Sequence, residues 1–363
     1  MKFSEIINKS NLKLSFEFSN DFAEDFEIKG LAYDSRKVKP GYIFFAITGL
    51  KDDGNKYMNN AIKNGANVII TEADLKLTEE PDIIIFKVKE IRKLMAQMSG
   101  IFYDNPSGKI KLIGVTGTNG KTTTTYLIKS LLKGAGYKVG LIGTIDYQLG
   151  DLKLDSTLTT PESVEMNMML GEMVKSKIDF CVMEVSSIAL KMDRVYGLDF
   201  NSAVFTNLTS EHLDFHENME NYFSAKKLLF DNLSERDYAI SNNDDIYGEK
   251  ILNDTKAKKF FYSRSERSDL RSFNEKLSLH GIEFDVEWNG KSYNLKSNIS
   301  GRFNIYNILA SVSTVLLYNI DMVSIQKSLL DFQEVNGRFN KIGLPNGAIA
   351  VIDYSHTSDS LKN

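Results

Sequence analysis

A glycine-rich segment at residues 114–123 has the residue types needed to bind the phosphates of a nucleotide. It reads Gly-Val-Thr-Gly-Thr-Asn-Gly-Lys-Thr-Thr, follows an apolar run at 111–115 and precedes residues 121–133, whose apolar side chains have helical spacing. A turn from a strand into a helix directs backbone N–H groups and the positive end of the helix dipole at an anion. Lys121 adds a charge for the β- and γ-phosphates, and the Thr122 hydroxyl can reach Mg²⁺. The segment therefore predicts a nucleoside triphosphate site at Gly117, Thr118, Asn119, Gly120, Lys121, Thr122 and Thr123.

A carboxylate and two histidines follow later predicted strands. Glu184 ends the apolar run 178–185, at the strand end where ligands bind in parallel sheets. A carboxylate there can hold Mg²⁺ near Thr122, because hard cations take oxygen ligands; the alternative is a solvated glutamate. His212 and His216 have a spacing that also allows a zinc pair, but nothing nearby completes a closed set of ligands.

Two basic features are less specific when the residues are considered alone. Lys226 and Lys227 lie on a predicted helix at 218–232, which by itself indicates a solvated basic pair. Arg338 in a Gly-Arg pair can supply charge to phosphates, but such pairs are common. A specific role for Lys226 or Arg338 can be inferred only together with the segments around them.

The loop and further segments resemble the Mur ligase and folylpolyglutamate synthetase group, which uses ATP to join an amino acid to a carboxylate. The loop lacks the first glycine of the usual phosphate-loop pattern, since position 115 is Val. Four other segments are similar to the MurE type, the ligase that adds the third residue of the peptidoglycan stem peptide. They are Met-Glu-Val-Ser-Ser at 183–187, Phe-Thr-Asn-Leu at 205–208, Glu-His-Leu-Asp at 211–214 and Tyr-Phe-Ser-Ala-Lys at 222–226. The resemblance runs from Ala32 to the last residue.

The resemblance implies a catalytic set of Lys121, Glu184, His212 and Lys226. It implies that Lys226 is carbamylated by CO₂, which turns an ammonium into a carboxylate that binds a second Mg²⁺. His212 is implied as a further metal ligand beside Thr122 and Glu184.

The resemblance also implies where ATP and the substrate bind. For the base, ribose and phosphates of ATP the matching residues are Asn304, Arg338, Asp353 and His356. A UDP-sugar is expected at Ser35, Leu50, Lys51 and Asp52, and the muramoyl-dipeptide near Thr159, Thr160, Ser186 and Arg194. Arg194 suits a carboxylate or phosphate, because its planar fork can bind both oxygens.

Several residues depart from the family pattern. Ile188 stands where the family usually has His, and Ser210-Glu211 replaces Arg-Asp. Ser355 and Ser358 replace Ala and Pro. None of these changes removes the phosphate loop, Glu184, His212 or Lys226, so we expect ATP and Mg²⁺ binding to persist. We expect the changes to act on substrate geometry and turnover instead.

The pattern of strands and helices expected around these residues indicates an α/β fold. A small α/β N-terminal UDP-binding domain is expected at 1–107, ended by a turn-rich junction. Alternating strands and helices at 108–336 predict a central phosphate-loop domain with a mostly parallel sheet. Residues 337–363 are expected to hold only the first strand of a third, Rossmann-like domain, a buried strand at 349–353. Since one strand cannot bury its faces alone, we expect the rest of that domain to be missing or encoded separately.

Composition agrees with a cytoplasmic enzyme but by itself decides little. A length of 363 residues exceeds what one core usually serves, so at least two domains are expected. The net charge of −4 gives no electrostatic footprint for nucleic acid, and no segment has the apolar length to span a bilayer. Cys181 cannot form an internal disulfide, and the polar start is not typical of a secretory signal.

The function expected from the resemblance is ATP-dependent amide ligation. An amino acid would be added to UDP-N-acetylmuramoyl-L-alanyl-D-glutamate through an acyl phosphate, with ATP and Mg²⁺ as cofactors. The alternatives are another member of the same ligase group and a non-catalytic nucleotide- or UDP-sugar-binding protein. Because the family's amino-acid-selecting motif lies in the third domain, we expect little ligation by these 363 residues alone.

Overall fold

The structure, a computed structural model, describes residues 1–10, 25–49, 52–74, 83–265, 267–346 and 348–355. The chain divides into two compact units. The first unit contains Met1–Lys109, Pro161–Gly171 and Met192–Leu198; the second contains Ile110–Thr160, Glu172–Lys191 and Asp199–Asn363. The structure groups residues 161–171 and 192–198 with the N-terminal segment, whereas the sequence predicts them in the central domain.

The first unit contains a parallel sheet with helices. Its strands are β1 Gly30–Ala32, β2 Tyr42–Ala46, β3 Ala66–Thr71 and β4 Ile84–Lys87, hydrogen-bonded in chain order. Its helices are α1 Phe3–Lys9, α2 Met58–Lys63 and α3 Ile91–Phe102. Short apolar runs such as Ile-Phe-Phe-Ala in β2 are buried on both faces, as a covered parallel sheet requires.

The second unit is built on one long sheet. Its strands are β5 Lys111–Thr116, β6 Val139–Ile142, β7 Asp146–Leu149, β8 Leu152–Asp155, β9 Phe180–Glu184, β10 Ser202–Phe205, β11 Tyr238–Asn242, β12 Lys258–Ser263, β13 Leu270–Ser278, β14 Gly281–Trp288 and β15 Lys291–Ser297. Their order is β15-β14-β13-β12-β11-β10-β5-β9-β6-β7-β8. The run β13-β12-β11-β10-β5-β9-β6 pairs in parallel throughout. Antiparallel pairs extend it at both ends, to β14 and β15 on one side and to β7 and β8 on the other. The predicted mostly parallel sheet is confirmed, with β5 near its centre.

Several helices of the second unit carry residues of the candidate site. The helices are α4 Lys121–Gly134, α5 Ser163–Lys175 (whose start belongs to the first unit), α6 Ser187–Lys191, α7 Leu213–His216, α8 Met219–Asp231, α9 Phe303–Leu316 and α10 Met322–Asp331. Of these, α4, α9 and α10 pack on the sheet of the second unit. Single turns of 3₁₀ helix lie at Ser35–Lys37, Gly54–Tyr57, Pro106–Lys109 and Lys250–Leu252. α9 is buried on nearly all sides and packs against both α4 and the sheet, which fixes the helix that follows the glycine-rich loop.

The last described strands correct one prediction. β17, Ile349–Ile352, pairs antiparallel with β16, Asn340–Gly343. The predicted strand exists, but its predicted burial is wrong, because Val351 and Ile352 are largely exposed. Within the described part of the chain, no helix has the length and apolar character to cross a membrane.

Candidate active site

A tight turn between β5 and α4 forms the phosphate loop, residues 117–120. α4 starts directly after the loop, so the loop N–H groups lie at the positive end of its dipole. Gly117 has a φ of 150° and Gly120 a φ of 86°, values that side-chain-bearing residues rarely adopt. A Cβ at Gly117 would collide with the Thr206 hydroxyl, and one at Gly120 with the Asn307 amide. The loop therefore needs glycine at both positions.

Asn207, which follows β10, holds the loop in place. Its carbonyl oxygen accepts a hydrogen bond from the Thr118 N–H at 2.9 Å, and its Oδ1 accepts one from the Asn119 N–H at 2.9 Å. Its Nδ2 donates to the Asn119 carbonyl oxygen at 3.1 Å. Sequence analysis assigned Asn207 no role, although it lies in the Thr-Asn-Leu segment that carried part of the resemblance.

Two lysines meet at one carbonyl oxygen of the loop. Lys121 Nζ donates to the Gly117 oxygen at 2.9 Å and to the Thr118 oxygen at 2.8 Å. Lys226 Nζ, on α8, also donates to the Gly117 oxygen, at 2.8 Å. The Lys226 side chain is only 1% exposed and its Nζ lies 4.5 Å from the centre of the Tyr222 ring. Lys226 is thus a buried residue of the phosphate loop site and not half of a solvated pair.

Burial and mutual repulsion disfavour the charged form of both amines. Burial is the main cause that lowers the pKa of Lys226 well below its ordinary value, and the charge of Lys121 lowers it further. Burial likewise lowers the pKa of Lys121, against the attraction of Glu184 and Glu211. Glu211, which stands at one of the departures from the family pattern, attracts both lysines. The charged form of Lys226 is therefore disfavoured at this site.

Glu184 ends β9 beside the loop and is buried. Its Oε2 accepts a hydrogen bond from Thr122 Oγ1 at 3.0 Å. Thr144, at the end of the adjacent strand β6, donates from its N–H to Glu184 Oε1 at 2.8 Å and from its Oγ1 to Oε2 at 3.1 Å. The structure therefore brings the predicted pair Thr122 and Glu184 into direct contact, as a shared oxygen site for Mg²⁺ would require.

Thr144 and the glycine before it were not found from the sequence. A Cβ at Gly143 would lie 2.5 Å from Glu184 Oε1, so the backbone approaches the carboxylate closely. The available signal was a Gly-Thr pair at the end of a predicted strand. It becomes informative only once β6 is known to be the neighbour of β9.

Three predicted substrate residues of the second unit surround the same strand end. Thr160 Oγ1 donates to the Glu184 carbonyl oxygen at 2.9 Å and accepts from the Ser186 N–H at 3.0 Å. Thr159 Oγ1 lies 3.1 Å from Thr144 Oγ1. Thr159, Thr160 and Ser186 thus belong to one hydrogen-bonded group with Thr122 and Glu184.

His212 lies at the edge of this group in a left-handed backbone conformation, with φ of 55°. Its side chain is 45% exposed, and its Nε2 lies 3.8 Å from Glu211 Oε2. Burial lowers its pKa, and the nearby charges of Lys121 and Lys226 act in the same direction. Among the side chains that the structure describes, no group of three or more histidine, cysteine, aspartate or glutamate residues is arranged to hold a metal ion.

His216 has a different environment from His212. Its Nε2 lies 2.9 Å from Ser187 Oγ, and the ring is buried beside Tyr222. Burial lowers the pKa of His216 to about 4. In the zinc-pair alternative, His216 would bind the metal through a ring nitrogen. The structure instead places its Nε2 in contact with the buried Ser187 hydroxyl.

The predicted nucleotide residues lie around α4. Asn304 Nδ2 donates to the Ser300 oxygen at 2.6 Å, and its Oδ1 accepts from Asn307 Nδ2 at 2.8 Å. The Arg338 guanidinium donates to Thr122 Oγ1 at 3.2 Å, which brings it to the phosphate loop. Thr123 is buried on the first turn of α4.

Two further predicted nucleotide residues lie near the end of the described chain. Asp353 Oδ2 accepts from the Phe339 N–H at 2.6 Å, and its Oδ1 accepts from the Ser355 N–H at 2.7 Å. His356 and Ser358 lie outside the described residues.

In the first unit, the predicted uridine residues lie in separate turns. Ser35 is buried and its carbonyl oxygen accepts from Asn64 Nδ2 at 2.9 Å. Asp52 Oδ2 accepts from the Tyr57 hydroxyl at 2.7 Å. Leu50 and Lys51 lie outside the described residues.

Arg194 belongs to the first unit, where it takes part in a nearly buried charge network. Its Nε donates to Glu162 Oε1 at 2.9 Å, and Arg92 donates to Glu162 Oε2 at 3.1 Å. One carboxylate therefore orients two guanidinium groups, and sequence analysis did not find Glu162 or Arg92.

Comparison with known proteins decides the family. Residues 27–103 match the family model described as "Mur ligase family, catalytic domain", and residues 115–315 match "Mur ligase middle domain". The chain belongs to the Mur ligase family. The family resemblance predicted from the sequence is confirmed.

Other Mur ligases match nearly the whole chain. A UDP-N-acetylmuramoyl-L-alanyl-D-glutamate--2,6-diaminopimelate ligase from Clostridium botulinum is 44% identical over 98% of this chain and 74% of its own length. One from Clostridium acetobutylicum is 47% identical over 93% of this chain and 69% of its own length. A solved structure of a ligase with the same substrate name superposes with a TM-score of 0.79 and 27% identity, covering 92% of this chain and 68% of that one.

Proposed function

We propose that this Mur ligase is of the MurE type and uses ATP to add the third amino acid to UDP-N-acetylmuramoyl-L-alanyl-D-glutamate. The observation that carries the proposal is the convergence of Lys121, Thr122, Glu184 and Lys226 on one phosphate loop. The names of the relatives support the same substrate and favour 2,6-diaminopimelate as the amino acid added. Its place of action would be the cytoplasm.

The phosphate loop and α4 would bind the phosphates of ATP. The loop N–H groups and the α4 dipole attract the anion, and Lys121 can exchange its contacts to loop carbonyl oxygens for contacts to phosphate. Arg338 already reaches Thr122 and adds a second positive charge. Asn304 would contact the base, with Asp353 and His356 near the ribose and phosphates.

The side chains beside the loop fit Mg²⁺. Thr122 and the buried Glu184 carboxylate offer oxygen atoms already in contact, and His212 lies beside the two lysines. When bound, Mg²⁺ would neutralise charge on the transferring phosphoryl group and hold it beside an anionic carboxylate. Thr144 fixes the orientation of Glu184 through two hydrogen bonds.

Lys226 would complete the metal site as a carbamate. Carbamylation joins the neutral amine nitrogen to the carbon of CO₂ and releases one proton, leaving a carboxylate on the side chain. The reaction needs an unprotonated amine, and burial beside Lys121 lowers the pKa of Lys226. The new negative charge would also remove the repulsion between the two lysines.

The remaining residues would bind and align the substrate. Ser35, Leu50, Lys51 and Asp52 would hold the UDP moiety, and Thr159, Thr160, Ser186 and Arg194 the muramoyl-dipeptide. Glu162 orients the Arg194 fork, which suits a substrate carboxylate. The γ-phosphoryl group would pass to the substrate carboxylate to give an acyl phosphate, which an amine then attacks with loss of phosphate. Positioning and electrostatics supply most of this catalysis.

Calorimetry with ATP and Mg²⁺ tests the nucleotide assignment. Wild-type protein should bind ATP, and Lys121→Ala should lose detectable binding while keeping its melting temperature. Lys133→Ala, on the exposed side of the same helix, is the matched control and should bind like wild type. Wild-type affinity in a folded Lys121→Ala protein would remove the assignment.

A further inference from the structure

Lys341, on β16, ties three separate segments of the second unit together. Its Nζ donates to the Leu279 oxygen at 2.8 Å, the Asn298 oxygen at 3.2 Å and Ser300 Oγ at 2.9 Å. It also pairs with Glu334 at 2.8 Å, and the two side chains are only 15% and 18% exposed. A lysine with four oxygen partners is fixed far more tightly than a surface lysine, since it gives up the freedom of a long side chain.

The contact with Ser300 connects Lys341 to Asn304, the residue expected at the nucleotide base. Ser300, which Lys341 holds through its hydroxyl, accepts a hydrogen bond from Asn304 through its carbonyl oxygen. Asn304 in turn accepts from Asn307, whose Oδ1 accepts from Thr124 Oγ1 on α4 at 3.3 Å. Hydrogen bonds therefore run without interruption from Lys341 to the helix behind the phosphate loop.

The ion pair with Glu334 connects Lys341 to the turn that carries Arg338, the residue expected at the phosphates. The Glu334 carboxylate accepts from the Lys341 N–H at 2.7 Å and from Asn340 Nδ2 at 3.1 Å. Between these residues the chain turns, with the Arg338 N–H donating to the Val335 oxygen at 2.9 Å. The ion pair between Glu334 and Lys341 thus closes both ends of the turn from which Arg338 reaches Thr122.

We propose that Lys341 is a positioning residue for the nucleotide, which sets Asn304 and Arg338 at the same time. The inference rests on the proposed ATP site. Lys341 acts through Ser300 toward the base and through Glu334 toward the phosphates, and it touches neither. Loss of its charge would leave Glu334 without its cation and release both the turn and the loop before α9.

Measurement of ATP dissociation constants with Mg²⁺ by calorimetry tests this role. Lys341→Met should raise the dissociation constant about five- to thirtyfold. Lys341→Arg should restore most of the affinity, because a guanidinium can keep several of the donor contacts. Lys296→Met is the matched control, because Lys296 lies on β15, is half exposed and pairs with Glu283 only at 3.3 Å.

A second variant isolates the route to Asn304. Ser300→Ala removes only a hydroxyl, which accepts from Lys341 and donates to the Leu279 oxygen at 2.9 Å, so it keeps the test informative if Lys341→Met does not fold. It should weaken ATP binding, and the double variant should be no weaker than Lys341→Met alone, because both changes break the same connection. Melting temperatures are measured in parallel, since a purely structural role would lower stability without changing the affinity of the folded protein.

Three outcomes would overturn the inference in distinguishable ways. Equal ATP affinity of wild type, Lys341→Met and Ser300→Ala would overturn the positioning role and leave the ATP site standing. Additive losses in the double variant would overturn the route through Ser300. Absence of ATP binding by wild type would overturn the proposed function itself, and the inference with it.

Discussion

Lys226 and Lys227 are neighbours on α8, but the structure predicts opposite reactivity toward CO₂. Lys226 is buried and its pKa is lowered, first by burial and then by Lys121. Burial also acts on Lys227, but its hydrogen bonds and charge pairs with Asp231 and Asp254 outweigh it and raise its pKa. Only an unprotonated amine forms a carbamate. We therefore predict a carbamate on Lys226 and none on Lys227.

The structure gives the direction of the expected difference between the two amines. An amine that titrates at or above the ordinary lysine pKa is unprotonated in less than about one part in a thousand near pH 7.5. Lys227 falls in this class, whereas the unprotonated fraction of Lys226 is far larger because its pKa lies well below the ordinary value. The carbamate should disappear as the pH falls through the folded-state pKa of Lys226, since protonation removes the nucleophile.

Carbon-13 NMR of the protein in ¹³C-labelled bicarbonate measures the carbamate directly. Wild type and Lys227→Met should both show a carbamate carbonyl signal that Lys226→Met lacks, whereas any signal from the N-terminal amine should be the same in all three. Added ATP and Mg²⁺ should strengthen the Lys226 signal, because a bound cation stabilises the new carboxylate. Identical spectra of wild type and Lys226→Met with ATP and Mg²⁺ present would refute this account of Lys226.

Three other perturbations have defined outcomes. Thr144→Val removes the hydroxyl that donates to Glu184, and the Mg²⁺-dependent ATP dissociation constant measured by calorimetry should rise about tenfold. Glu162→Leu removes the carboxylate that Arg92 and Arg194 share. Urea denaturation should therefore show a loss of about 3–5 kcal/mol in unfolding free energy. An unchanged unfolding free energy would contradict the proposed charge network. The pKa of His216 is lowered to about 4 from 6.5, so the unfolded state binds more protons in that interval. Stability should therefore fall as the pH drops through it, by about 1.4 kcal/mol per pH unit, and a denaturation series on His216→Phe should show a shallower slope.

Sequence reasoning placed the phosphate loop and its flanking elements closely, because local patterns determine them. The residues with helical spacing at 121–133 lie in α4, and the apolar run at 111–115 lies in β5. Glycine, lysine and threonine at fixed spacing act through the backbone of one turn, so their chemistry does not depend on distant contacts.

Burial and partnership across the sheet could not be predicted in the same way. The helix carrying Lys226 was predicted, but its burial depends on the loop and Tyr222 packed against it. Thr144 acquires its partner only through the strand order β5-β9-β6. The apolar pattern at 349–353 is typical of a buried strand, yet the structure pairs it with one strand only and leaves it exposed. These properties arise from packing between segments distant in sequence.

Trapping of the acyl phosphate tests the central claim most directly. The protein is incubated with ATP, Mg²⁺, UDP-N-acetylmuramoyl-L-alanyl-D-glutamate and hydroxylamine, which intercepts an acyl phosphate without needing an amino-acid site. The account predicts ADP and the UDP-dipeptide hydroxamate in equal amounts with wild type and with Lys133→Ala, and neither product with Lys121→Ala. Binding of both ATP and the UDP-dipeptide by wild type without formation of ADP or hydroxamate would contradict the claim that this site transfers phosphoryl groups.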